Sequence, residues 1–236
     1  MKAHAHLTVE LDAAGRSVVR TLRSAAPLTL VPVRGEPVVH LVGSAASPLG
    51  GDELTLTVRV GPGACLTLAG IAATVALPGP HGEESHTTVH IELGEEATVA
   101  YLPEPTVITR RARHESLLTV TLAEGARLHM RETVVLGRAG EAGGDLTTAL
   151  HVTRAGRPVL RQSLAVTREL LMGRRVVATA LCTNDMSETA SGEWWSRTRL
   201  AAGGTLTTAL ADDAVTAARR LGATCRQGTC STLPRS

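Results

Sequence analysis

The feature that most constrains the fold is a strict alternation of apolar and polar residues on both sides of similar short turns. In residues 54–60 (LTLTVRV) every second side chain is Leu or Val, which is the period of a strand with one buried face. The segment runs into the turn 61–64 (GPGA), and the alternation resumes at Leu66. A strand, a tight turn and a second strand in succession are typical of a β-hairpin.

The same unit recurs twice, around the turns 94–97 (GEEA) and 123–126 (AEGA). Further candidate turns lie at residues 12–15, 154–156 and 202–204. A repeated unit of this kind predicts a mainly β fold of stacked β-hairpins. No linker-like stretch divides the chain, so residues 1–236 are predicted to form a single β-rich domain.

One segment breaks the β pattern. Residues 212–223 begin with two acids, continue with an apolar stripe at helical spacing and end next to Gly222, so they are predicted to form a short helix. A second short helix within residues 169–180 is left open, because Val176 and Val177 favour a strand.

Composition argues against several classes of function. With 24 Lys and Arg against 22 Asp and Glu, the net charge is +2, which gives no strong attraction to nucleic acid or anionic membranes. One Tyr, two Trp and no Phe leave few aromatic platforms for stacking bases or sugars. No apolar run approaches the roughly 20 residues of a membrane helix. We therefore predict neither nucleic-acid nor membrane partners.

Cysteine usage and the first residues bear on location. No continuous apolar leader follows Met1, so a cytoplasmic location is predicted. The four cysteines, Cys65, Cys182, Cys225 and Cys230, are few and irregularly spaced, which predicts free thiols in a reducing compartment. A metal-binding pair at Cys225 and Cys230 is the alternative left open for those two residues.

Standard catalytic and nucleotide-binding motifs are absent from the sequence. The turn 61–64 lacks the Lys-Ser/Thr that ends a phosphate-binding loop. His114 and Glu115 begin like a zinc-protease helix, but no second histidine follows at the required spacing. We predict that the protein is not an enzyme and holds no tightly bound cofactor.

Histidines occur in pairs on the polar faces of predicted strands. The members of these faces are His86, His90 and Glu92 on one strand, and His4 and His6 on another. Such same-face pairs are either exposed side chains or ligands for a borderline divalent metal such as nickel or zinc. Both interpretations stay open at this point.

Carboxylates also lie where the backbone is unusual. Asp52 and Glu53 follow a double glycine at the start of a strand, and adjacent strand residues point to opposite faces, so one of the two is predicted to face inward. Glu104 lies between two prolines, and Glu132 is in phase with Met130 on the core side of its strand. An inward carboxylate needs either an arginine partner or a water-filled passage.

Three blocks of sequence follow one another in a characteristic order. They are residues 48–54 (PLGGDEL) followed by the turn 61–64, residues 100–106 (AYLPEPT), and Arg131-Glu132 with residues 136–138 (LGR) and 140–141 (GE). Together they resemble the UreD family of urease accessory proteins, also called UreH. The resemblance covers about residues 40–165, and the combination is more specific than any single block.

The resemblance implies a mainly β, non-enzymatic protein that matures nickel urease. Family members bind apo-urease subunits and act with a helical accessory protein and an accessory GTPase, and an internal tunnel is their proposed nickel route. The acids associated with that tunnel carry over as Asp52, Glu53 and Glu132. Glu104, in the second block, is a further candidate for transient contact with nickel.

Two other classes of protein remain as alternatives. One is a metal-independent stack of β-hairpins that serves as a protein-interaction scaffold. The other is an extracellular β-solenoid enzyme that acts on polysaccharides with Asp and Glu, and it conflicts with the missing leader and the scarcity of aromatic residues.

Overall fold

The computed structural model describes residues 1–222, which form strands and one short helix. In chain order these are β1 (Lys2–Leu11), β2 (Ser17–Arg23), β3 (Leu28–Pro32), β4 (Val38–Gly43), β5 (Glu53–Val60), β6 (Cys65–Gly70), β7 (Thr74–Ala76), β8 (Ser85–Leu93), β9 (Thr98–Leu102), β10 (Thr106–Ile108), β11 (Arg113–Leu122), β12 (Arg127–Leu136), β13 (Asp145–Arg154), β14 (Arg157–Val166), β15 (Val176–Cys182), β16 (Ala190–Gly192), β17 (Trp195–Arg199), β18 (Thr205–Ala211) and α1 (Ala214–Gly222).

The strands form two sheets. The first sheet has seven strands in the order β14-β13-β11-β8-β5-β1-β2, and its five inner strands run parallel to one another. The second sheet follows the order β16-β17-β18-β15-β12-β9-β6-β4-β3, with β7 and β10 attached beside β12. Within it, β4, β6, β9 and β12 are parallel. The predicted mainly β class is confirmed.

The repeated strand-turn-strand units stack as predicted, and their pairing adds a finding. The turn 61–64 joins β5 in the first sheet to β6 in the second, and the turns 94–97 and 123–126 do the same for the next two units. The two strands of a unit therefore pair in parallel with the neighbouring units and not with each other. Alternation reveals a strand but not its partner, so hairpins and stacked coils look alike in sequence.

Three buried alanines explain the similarity of these turns. Ala64, Ala97 and Ala126 are between 0% and 2% exposed. Each turn rests on the next, since Thr98 N–H donates to the Ala64 carbonyl at 2.9 Å and Arg127 N–H donates to the Ala97 carbonyl at 2.8 Å. A larger side chain at the alanine would separate the stacked turns, so the repeat selects a small residue.

True hairpins lie towards the ends of the sheets. The turns 12–15, 154–156 and 202–204 join the antiparallel pairs β1–β2, β13–β14 and β17–β18.

Helix α1 falls within the predicted segment, and Asp213 caps it by accepting a hydrogen bond from Thr216 N–H at 2.8 Å. Residues 169–180 contain a turn and most of β15, as the β-branched valines favour. The single-domain assignment stays a prediction.

The core lies between the two sheets. Its largest fully buried side chains include Leu7, Leu56 and Ile91 from the first sheet and Leu66 and Leu128 from the second. Burial of each such side chain contributes about 1.5–3 kcal/mol to folding. Among residues 1–222, no helix is both long and apolar enough to cross a membrane.

The cysteines correct one expectation. Cys65 and Cys182, predicted as free thiols, are disulfide-bonded. Spacing along the chain does not reveal which sulfur atoms a stacked β fold brings together, so the sequence could not identify these bonds. Cys225 and Cys230, with the metal pair left open for them, lie outside the described residues.

Candidate functional site

A cavity of about 120 Å³ lies between the two sheets. One water molecule needs about 10–15 Å³ of such space, so several fit. Leucines and valines form much of its wall, including Leu54, Leu56, Val89 and Leu118. The polar lining consists of Ser47, Thr74, Thr87, Tyr101, Glu104, Thr106, His114, Ser116, Glu132 and Thr133. The cavity therefore combines a mostly apolar wall with a few side chains that can bind a cation or water.

Glu132 is the acid that the sequence placed on the core side, and its side chain lines this cavity. Thr148 donates a hydrogen bond to Oε2 at 3.2 Å, and Ser116 bonds to the same carboxylate. Burial raises the pKa of Glu132, while these hydrogen bonds act in the opposite direction. Among residues 1–222, Glu132 forms no ion pair with Lys, Arg or His.

Tyr101 stands beside this carboxylate in the cavity wall. Burial raises the pKa of Tyr101, and the nearby charge of Glu132 raises it further. The phenol therefore stays protonated at physiological pH and provides a neutral polar group.

His114 is a second ionisable group in the cavity, on β11. Its Nδ1 lies 2.8 Å from the Ser85 hydroxyl, which itself donates to the Arg113 carbonyl at 3.3 Å. Because that hydroxyl has one hydrogen, this arrangement favours an Nδ1–H that donates to Ser85 and an Nε2 with a free lone pair. Burial lowers the pKa of His114 to about 4, so the ring is neutral at physiological pH.

Glu104 also lines this cavity. It is half-buried, and its backbone lies directly over Gly70. A Cβ atom at Gly70 would lie 2.4 Å from the Glu104 backbone nitrogen. A glycine at that position therefore lets the segment between the two prolines pack close to β6 and bring Glu104 to the cavity.

Asp52 is buried, 3% exposed, and is not part of the cavity lining. Its carboxylate accepts hydrogen bonds from the Met1 amine at 2.7 Å, the Ser47 hydroxyl at 2.7 Å and Leu49 N–H at 2.8 Å. Burial acts to raise the pKa of Asp52, but these bonds outweigh it and the pKa is lowered. Asp52 thereby fixes the loop from which Ser47 and Pro48 reach the cavity.

The double glycine before Asp52 has a steric explanation. A Cβ atom at Gly50 would come within 2.3 Å of the Gly79 nitrogen, and Gly51 has a φ of 87°. The first glycine permits close backbone packing and the second permits a left-handed turn.

Glu53 lies on the other face of β5, as alternation requires. Its side chain is 53% exposed and pairs with the Lys2 Nζ at 2.9 Å. The structure therefore separates the three carried-over acids: Glu132 is in the cavity, Asp52 is in the adjoining loop, and Glu53 is on the outer surface.

The third sequence block forms a braced loop after β12. Glu141 accepts hydrogen bonds from Arg138 Nε at 2.8 Å and from Arg110 N–H at 3.2 Å. The hydrogen bonds from Arg138 lower the pKa of Glu141 to about 2. A Cβ atom at Gly137 would lie 2.3 Å from the Glu141 carbonyl oxygen. These residues shape the loop that follows the strand carrying Glu132.

Sequence reasoning missed His114, Ser116 and Tyr101 as members of the site. The signal for the first two was present, because they alternate in phase with Leu118 and Val120 on the buried face of β11. His114 lies on a strand and not on a helix of the zinc-protease type. Tyr101 follows buried Ala100 and is assigned to the cavity only by the structure.

The histidines predicted on polar faces are on the outer surface of the first sheet. His4 Nε2 contacts the Thr57 hydroxyl at 2.9 Å, and Glu92 pairs with Arg59 Nε at 2.8 Å. His86 contacts Glu115 on the neighbouring strand, with Nδ1 and Oε2 3.0 Å apart. His86 therefore meets a carboxylate on β11, whereas Glu92 on its own strand is paired with an arginine.

Comparison with known proteins agrees with the three sequence blocks. The sequence model of the UreD urease accessory protein family matches residues 1–231. Urease accessory protein UreD 1 of Saccharopolyspora erythraea is 52% identical over 237 residues, which cover 94% of this chain and 93% of the relative. Urease accessory protein UreD of Parafrankia sp. is 38% identical, covering 94% and 86%, and that of Frankia alni is 35% identical, covering 94% and 91%. The chain thus belongs to the UreD family of urease accessory proteins.

Proposed function

We propose that this protein binds apo-urease subunits as a non-catalytic maturation factor and passes nickel to the urease active site through the cavity between its sheets. In this proposal it acts with a helical accessory protein and an accessory GTPase. Nickel is cargo that passes through, and no cofactor stays bound.

The observation that carries the proposal is Glu132 in the cavity. It is a carboxylate without a cationic partner among residues 1–222, and hydroxyl groups solvate it. A buried carboxylate that only stabilised the fold would be expected to have an arginine partner, because an unpaired buried charge is costly. Because Glu132 lacks such a partner among the described residues, we infer that its negative charge has a function.

The ligands around Glu132 suit an ion that must leave again. Nickel is a borderline metal that accepts imidazole, carboxylate and water. The cavity provides Glu132, the neutral ring of His114, several hydroxyl groups and Glu104. Sparse oxygen ligands and water hold a divalent ion weakly, whereas a closed set of thiolates and imidazoles would trap it.

Asp52 and Glu53 remain proposed contributors to nickel passage, with different parts. Asp52 would act by holding the loop that brings Ser47 to the cavity. Glu53 would act from the outer surface, where it is exposed.

A Glu132→Gln variant tests the passage. Gln keeps the size and a hydrogen-bond acceptor but removes the charge that would hold nickel. We expect the nickel content of urease matured with this variant to fall about tenfold. The melting temperature should not fall, because the substitution removes a charge from a site where burial disfavours it. Both quantities are measured after co-expression with urease and its accessory proteins.

Glu92→Gln is the matched control, since it removes a carboxylate from the outer face of the same protein. It should leave the nickel content of urease unchanged. Normal nickel content with Glu132→Gln would reject the passage and favour the metal-independent interaction scaffold. Co-purification of urease with each variant shows whether binding is intact, so that a loss of nickel is not confused with a loss of partner.

The proposed location is the cytoplasm. The proposed partnership with newly made urease subunits supports this location. The cysteines do not support it, because Cys65 and Cys182 are disulfide-bonded.

A further inference from the structure

Three potential metal ligands meet on the outer face of the first sheet. His86 on β8 and Glu115 on β11 are direct neighbours in the parallel register. Glu84 lies two residues before His86, so it projects to the same side, while Ser85 between them is buried. We call Glu84, His86 and Glu115 the outer triad. The sheet separates it from the cavity.

The distances within the outer triad fit one metal ion. His86 Nδ1 and Glu115 Oε2 are 3.0 Å apart, and one ligand atom from each of the three residues lies within 4.8 Å of the others. Nitrogen and oxygen ligands stand about 2.0–2.2 Å from zinc, so two donors on one ion are at most about 4.4 Å apart. A small side-chain rotation brings all three donors into that range.

The charges of the outer triad also favour a cation. Among residues 1–222, neither Glu84 nor Glu115 pairs with a lysine or arginine. Two other acids on the same face are neutralised, since Glu53 pairs with Lys2 and Glu92 pairs with Arg59. The triad is therefore a local negative site in which an imidazole stands next to a carboxylate.

We propose that the outer triad binds a single borderline divalent ion such as Ni²⁺ or Zn²⁺. His86 supplies nitrogen, Glu84 and Glu115 supply oxygen, and water completes the coordination shell. One imidazole with two carboxylates suits nickel or zinc better than magnesium or calcium, which prefer oxygen alone. This site goes beyond the proposed passage, because binding at the surface does not require an ion to enter the cavity.

Titration of the tag-free protein with NiCl₂ and ZnCl₂ by calorimetry tests the site. We expect His86→Ala to remove one bound equivalent or to weaken its affinity at least tenfold. Glu115→Gln and Glu84→Gln should each weaken the same equivalent. His90→Ala is the matched control, because His90 lies on the same face of the same strand and is not part of the outer triad. It should leave the titration unchanged.

A second measurement locates the ion directly. Paramagnetic Ni²⁺ should broaden the ring signals of His86 in NMR spectra before those of His90. Full affinity and stoichiometry in His86→Ala would overturn the proposal, as would equal losses in His90→Ala. Glu132→Gln distinguishes this site from the passage: the outer equivalent should persist in that variant even if the proposed passage is wrong. Unchanged circular dichroism shows that each variant is folded.

Discussion

Asp52 is buried and Glu132 is half-buried in the cavity wall, and their surroundings act on their pKa values in opposite directions. Asp52 accepts hydrogen bonds from an amine, a hydroxyl and a backbone N–H, which lower its pKa. Within the described part of the chain Glu132 has hydroxyl partners and no cationic one, and burial raises its pKa. The first carboxylate is therefore stabilised as an anion by the fold, whereas the second destabilises the folded state when it is charged.

This contrast predicts opposite effects of pH on stability. The stabilisation from Asp52 is present above the unfolded pKa of about 3.9 and is lost as pH falls through its lower folded value. For Glu132, stability falls as pH rises from about 4.3 through its raised folded value. Asp52→Asn should therefore lose about 2 kcal/mol at pH 7 and less in acid. Glu132→Gln should be at least as stable as the wild type at pH 7.

Urea unfolding of the two variants and the wild type between pH 3 and pH 8 measures these effects. Only conditions with a two-state transition are compared, because the free energies are otherwise undefined. Changes of the same sign for both variants at pH 7 would contradict the assignment of Asp52 to the fold and Glu132 to the cavity.

At the scale of the element, the turns that join the two sheets depend on one another. The third position of each turn has a positive φ, at Gly63, Glu96 and Gly125. The Glu96 side chain lies across Gly125 in the next turn, where a Cβ atom would come within 1.7 Å of Glu96 Oε1. Glu96 also pairs with Arg127 at 3.2 Å. A non-glycine residue in one turn is thus accommodated by glycine in the turn stacked on it.

Gly125→Ala should therefore destabilise the protein through two separable effects. Its left-handed backbone costs about 1–2 kcal/mol for an L-residue, and displacement of Glu96 adds to that. In a Glu96→Gly background only the backbone cost should remain, so the two substitutions should not be additive. Urea unfolding of the two single variants and the double variant measures the coupling. Strict additivity would show that the turns are independent.

Alternation predicted the strands and recurring turns, and a stripe at helical spacing predicted the helix near residue 214, because these elements depend on local periods. It did not predict that β5 and β6 lie in different sheets, because pairing depends on contacts between residues far apart in the chain. The site was predicted unevenly for the same reason. The phase of Glu132 placed it on the core side, but nothing local showed that Glu53 would pair with Lys2 or that His114 would share a cavity with Glu132.

At the scale of the molecule, each sheet formed by residues 1–222 ends in strands that have a neighbouring strand on one side only. In the first sheet β14 is one such edge, and it carries exposed Arg157 and Arg161 next to partly buried Leu160. Charged side chains and a proline on an edge strand discourage pairing with other chains, and Pro158 provides the latter. These features should keep β14 from pairing with a second copy of the protein when no partner protein is bound.

Removing these charges should expose the edge. Arg157→Thr with Arg161→Val should increase self-association, because β-branched residues favour strand pairing and the repulsive charges are gone. Sedimentation velocity over a concentration series should then show dimers or larger species. Arg34→Thr with Arg110→Thr is the matched control, since it removes the same charge from exposed positions outside the strands. Equal self-association of the two double variants would attribute the effect to net charge and not to the edge.

On β8 and on β11, a residue that faces inward and a residue that faces solvent are adjacent in sequence. Ser85 and His114 are buried, whereas His86 and Glu115 are the next residues along the same two strands and point to solvent. A substitution can change one of these surfaces and leave the other intact. An insertion or deletion of one codon at the start of either strand would instead exchange the inward and outward sets together. Insertions and deletions should therefore accumulate in the turns that connect the strands. The number of residues within β8 and within β11 should stay constant among related proteins.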